Sequence, residues 1–120
     1  MTTVLVIDDS PSEMAKFRDI LTKNNFQILE ANNGEKGCLM AAEYLPDVVL
    51  MDVVMPEMNG FQATRKITRG KTTAHIPVVI VSTKNQETDR VWGKRQGARE
   101  YLVKPVDENE LVRIIRTVTE

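Results

Sequence analysis

The chain has 120 residues, 42% hydrophobic and 28% charged, the balance of an ordinary globule with room for one core and one domain. A formal net charge of -1 excludes the basic footprint of a nucleic-acid-binding protein, and a single cysteine, Cys38, excludes an internal disulfide. With no basic leader, long apolar segment or lipidation motif, a cytoplasmic chain without membrane insertion is expected.

In chain order, Val4-Leu5-Val6-Ile7 is a short aliphatic run that stops at Asp8-Asp9. Ser10-Pro11-Ser12-Glu13 then offers an N-cap serine, proline at the first helical position and a glutamate three after the cap. It predicts a helix to about residue 24, with Met14, Phe17 and Leu21 on one face. A shorter strand is predicted over 26–31, and Asn33-Gly34 opens a second helix that closes near Leu45-Pro46. The third strand is expected over 48–52, ending in Asp52; Pro56 and Asn59-Gly60 mark the loop after it, before a helix carrying Phe61, Thr64 and Ile67. A polar stretch over 69–75 contains the only histidine, His75, and leads into Val78-Val79-Ile80-Val81, which ends in Ser82-Thr83. The helix expected over 87–96 is the weakest, because Gly93 sits inside it at a cost of about 1 kcal/mol against alanine. Tyr101-Leu102-Val103 ends in Lys104-Pro105. The last helix starts from an Asp107 cap and presents Leu111, Ile114, Ile115 and Val118 at helical spacing.

Aliphatic runs of this length, separated by helical stretches, read as parallel strands covered on both faces. In such sheets the ligand site lies beyond the carboxyl ends of the strands, at the point where the strand order reverses. Each run here stops at a polar residue, so Asp8, Asp9, Asp52, Ser82 and Lys104 are expected to converge. Three acids, a hydroxyl and one lysine form a metal-assisted site for a phosphoryl group.

Asp8-Asp9, Asp52, Met55-Pro56 with Asn59-Gly60, Ser82 and Lys104-Pro105 together resemble the signature of a response-regulator receiver domain. The intervals of 43 positions from Asp9 to Asp52, 30 to Ser82 and 22 to Lys104 agree with that family, and the resemblance runs the whole length of the chain. It implies a flavodoxin-like, doubly wound α/β fold with a five-stranded parallel sheet in the order 2-1-3-4-5. It further implies magnesium, with manganese as a substitute, held by Asp9, Asp52, the backbone carbonyl of Val54 and, directly or through water, Asp8. Asp52 becomes the phosphoacceptor, Lys104, Ser82 and the Thr83 backbone contact the phosphoryl group, and the peptide before Pro105 is cis. Ser82 and Tyr101 form a switch, in which phosphoryl contact draws Ser82 inward and the Tyr101 ring fills the space left behind. Trp92 and Tyr101, with Lys94 and Arg95, fall on one expected partner surface.

The implied partners are a sensor histidine kinase or its phosphotransfer domain and a downstream protein target. With no residues left for an output domain, a single receiver domain over 1–120 is expected, acting by protein contact or as a phosphate sink and not as an enzyme. The tract from Thr83 to Ala98 further resembles single-domain regulators of chemotaxis-like systems that control type IV pili and twitching motility, the PilH type. A receiver of another chemosensory pathway is an alternative. Two other classes fit less well. An aspartate-nucleophile phosphatase carries a second aspartate two residues after the first, where this chain has Val54, and a nucleotide or flavin module needs a glycine-rich loop after the first strand.

Overall fold

The structure, a computed structural model, describes residues 1–120. Five strands alternate with five helices: β1 (Thr3–Ile7), α1 (Pro11–Lys23), β2 (Gln27–Ala31), α2 (Gly34–Tyr44), β3 (Val48–Met51), α3 (Gly60–Thr68), β4 (Val78–Ser82), α4 (Glu87–Arg95), β5 (Glu100–Val103) and α5 (Glu108–Val118). All strand pairs are parallel, and the order β2-β1-β3-β4-β5 is the one the receiver-domain resemblance implies. β3 and β4 are buried along their whole length, whereas the edge strand β2 buries only its last residue, Ala31, and leaves Gln27 and Glu30 exposed. That difference is why the central strands read as unbroken aliphatic runs.

Two cores lie on opposite faces of the sheet. On one, Met14, Phe17 and Leu21 of α1 and Leu111, Ile114 and Ile115 of α5 pack on Val4, Val6, Leu50, Val79 and Val81. On the other, Ala41 of α2 and Ala63 and Ile67 of α3 pack on Leu5, Ile7, Met51 and Ile80, and Tyr101 joins them. The sequence boundaries hold to within a residue or so. Phe26 stays outside β2 because its N–H bonds the Leu21 carbonyl at 2.9 Å, extending the closing turn of α1. Asp52 still donates its N–H to the Ile7 carbonyl at 2.9 Å, then leaves the ladder.

The helix containing Gly93 is well formed, and the glycine has a tertiary reason. A β-carbon there would lie 2.9 Å from Cδ1 of Ile80 and 3.0 Å from the Tyr101 ring, so the bare glycine lets α4 sit close on this part of the sheet without displacing either side chain. None of the five helices is long and apolar enough to cross a membrane.

Candidate functional site

Strand register brings the acids together. Ile7 pairs with Met51, so the residues that follow, Asp8 and Asp52, leave neighbouring strands at the same level. One carboxylate oxygen from each of Asp8, Asp9 and Asp52 lies within 4.8 Å of the other two. Asp8 and Asp52 are buried while Asp9 faces solvent, so the cluster is closed at its base and open at its mouth. Gly60, the first residue of α3, backs the site: a β-carbon there would overlap the carbonyl oxygen of Asp52.

Lys104 enters from the end of β5. Its ammonium lies 2.9 Å from Oδ2 of Asp8, 3.3 Å from Oε1 of Glu13 and 3.5 Å from Oδ1 of Asp52, and its side chain is only 9% exposed. Oδ1 of Asp8 accepts the Ser10 N–H at 2.9 Å, so both oxygens of this aspartate are oriented by donors. Burial pushes the Asp52 carboxyl up to about 6, the Asp8 carboxylate adds to the rise, and Lys104 offsets only part of it. Burial pulls the Lys104 ammonium down, but Asp8, Asp52 and Glu13 outweigh it and hold the group above the usual lysine range. The three aspartates against this one ammonium leave two uncompensated negative charges, and a divalent cation is the species that neutralises them. Val54, two residues after Asp52, is 60% exposed, and its carbonyl lies outside the backbone hydrogen-bond network. A magnesium ion fits this donor set.

Ser82 closes β4 and is fully buried, its Oγ accepting the Lys84 N–H at 3.2 Å, and Thr83 is exposed just beyond it. The Tyr101 ring is already inside, 5% exposed, with its hydroxyl donating to the Lys84 carbonyl at 2.8 Å. The Lys104-Pro105 peptide is cis. Lys94, Arg95 and Tyr101 line a groove of about 570 Å³ between α4 and β5, together with Arg90, Val91 and Glu100. Trp92, half-exposed, is also on α4 but does not line that groove. His75 is exposed in the turn that leads into the opposite end of β4.

Sequence reasoning missed two residues here. Glu13 read as a helix cap, and Gly60 as a turn. The cap pattern is only half made: the Glu13 N–H does bond Oγ of Ser10, at 3.3 Å, but the Ser10 N–H goes to Asp8 and leaves the Glu13 carboxylate free to reach Lys104. Nothing in the local pattern distinguishes these uses, because the competing acceptor comes from a strand end.

Comparison with known proteins agrees with this geometry. The response regulator receiver domain family matches residues 4–116. The chain is 57% identical to protein PilH of Pseudomonas aeruginosa over 98% of both chains. Its fold superposes on the chemotaxis protein CheY4 of Vibrio cholerae with a TM-score of 0.92 at 27% identity, covering 98% of each chain. The receiver domain of the sensor histidine kinase PA1611 of Pseudomonas aeruginosa, solved with a magnesium ion coordinated in its active-site cleft, superposes with a TM-score of 0.91 at 24% identity, over 98% of this chain and 97% of that one.

Proposed function

The chain belongs to the response-regulator receiver family, and on that premise we propose that it is a stand-alone two-component regulator phosphorylated on Asp52. The observation that carries the proposal is the convergence of Asp52 with Asp8, Asp9 and the buried ammonium of Lys104. An oxygen of Asp52 attacks the phosphorus of a phosphohistidine on a sensor kinase or its phosphotransfer domain. An O–P bond forms as the donor's N–P bond breaks, and the imidazole leaves with the electron pair. Lys104 offsets charge on the phosphoryl oxygens, and the Ser82 hydroxyl and Thr83 amide supply further donors. Asp8, Asp9, Asp52 and the Val54 carbonyl would hold magnesium, which would supply charge neutralisation there.

Output is by phosphorylation-dependent protein contact through the surface of α4 and β5, where the buried Tyr101 links the site to the helix. The likeness to PilH over almost the full length of both chains supports a place in a chemotaxis-like system controlling type IV pili and twitching motility.

Incubated with acetyl phosphate and magnesium, the protein should gain one phosphoryl mass, labile to base and hydroxylamine, while Asp52→Asn gains none. Label retained by Asp52→Asn and mapped to His75 or a serine overturns the assignment. Magnesium at ten times its dissociation constant should add about 1.4 kcal/mol and raise the melting midpoint by several degrees. Asp9→Ala should abolish that shift; an unchanged midpoint in the parent protein, against a chelator control, counts against the metal site.

A further inference from the structure

Lys104 is shared with a carboxylate that the phosphoryl site does not need. Glu13 lies in the first turn of α1, and its two oxygens serve different lysines: Oε1 is 3.3 Å from Lys104, and Oε2 is 3.2 Å from Lys16. Its side chain is 24% exposed and that of Lys16 is 71% exposed, so one partner lies inside the site and the other in solvent. The usual cap role of a glutamate at this position is unfilled, since the Ser10 N–H it would accept is held by Asp8 at 2.9 Å. In α3, by contrast, Gln62 and Asn59 complete the reciprocal cap, with both bonds at 2.9 Å.

We propose that Glu13 is a positioning residue for phosphoryl transfer, a carboxylate placeholder that competes with the incoming phosphoryl group for Lys104, and that Lys16 sets the strength of the competition by drawing on the same carboxylate. The proposal rests on the assignment of Asp52 as phosphoacceptor. Before transfer, Lys104 is surrounded by Asp8, Glu13 and Asp52. To meet a phosphoryl group on Asp52 it must give up part of that set, and Glu13 is the partner that holds neither the metal nor the phosphorus. Neutralising Glu13 releases Lys104; removing Lys16 concentrates the Glu13 charge on it.

The test is a double-substitution cycle read as the initial rate of phosphoryl uptake from acetyl phosphate with saturating magnesium. In this reaction Asp52 gains the O–P bond and acetate leaves. Glu13→Gln should raise the rate about two- to five-fold, the size expected of one partly exposed ion pair, and Lys16→Gln should lower it by a smaller factor. Those two signs alone would also follow if each charge merely attracted or repelled the anionic donor. The placeholder requires more: once Glu13 is neutral, Lys16→Gln should have no further effect, so the double variant should match Glu13→Gln. Effects that multiply independently in the double variant, or an unchanged rate in Glu13→Gln, overturn the proposal. No uptake by the parent protein fails the assignment of Asp52 instead, which separates the two outcomes.

Discussion

α4 and α5 flank the same edge of the sheet, on opposite faces, and are attached to it in different ways. α5 buries Leu111, Val112, Ile114 and Ile115, an aliphatic stripe that joins one of the two cores. α4 buries one residue, Gly93, and leaves its two large apolar side chains, Val91 and Trp92, 45% and 48% exposed. Its ties are mostly peripheral and polar: the Arg90 guanidinium stands 5.7 Å from the centre of the Tyr101 ring, Lys94 donates to the Arg99 carbonyl at 2.7 Å, and Thr68 donates to the Gln96 carbonyl at 2.6 Å. One helix is therefore a fixed wall, while the other rests on an aromatic ring through a glycine. A helix with so little buried apolar area contributes little to global stability and is the element most easily displaced by a change beneath it. The residue beneath it is Tyr101, whose hydroxyl bonds the loop leading away from Ser82.

Substitutions on the two helices sharpen this contrast. Ile115→Ala, in the wall, should cost about 2–5 kcal/mol in urea denaturation followed by circular dichroism, from the lost transfer energy and the cavity left behind. A loss below that range would mean that α5 is no better anchored than α4. Gly93→Ala poses a conflict of signs. Alanine favours the helix by about 1 kcal/mol, but crowding a packed site costs about 1–3 kcal/mol. With the added carbon only 2.9 Å from Ile80 and 3.0 Å from the Tyr101 ring, a net loss of about 1 kcal/mol is expected by the same assay. A net gain would show that α4 can lift off the ring at little cost. Trp92→Ala should stay within about 0.5 kcal/mol of the parent, as an exposed residue away from core and caps. A larger loss would place Trp92 among the anchors of α4 and remove it from the candidates for partner contact.

The difference between the helices also shows what could be read from residue order. α5 was legible because its apolar residues repeat at helical spacing next to an aspartate cap, both local patterns. α4 is less legible because Gly93 lowers helix propensity, and the reason for the glycine lies in Ile80 and Tyr101, on two different strands. At the site, Asp8, Asp9, Asp52, Ser82 and Lys104 could be picked out because each ends an aliphatic run, and parallel strands deliver their carboxyl ends to one edge of the sheet.

The sequence by itself determined the alternation of strands and helices, the parallel pairing and the acids and lysine that meet at the strand ends. These follow from the period of the apolar residues and the position of polar residues at their ends, which local physics dictates. The strand order came from resemblance, because composition does not choose among right-handed windings. Only the tertiary structure decided how the polar atoms are shared: that Asp8 takes the Ser10 amide, that Glu13 is thereby left to hold Lys104 and Lys16 together, and that Lys104 is buried among three carboxylates. A buried donor or acceptor takes the partner that folding places within reach, and here those partners lie up to 96 positions away in the chain.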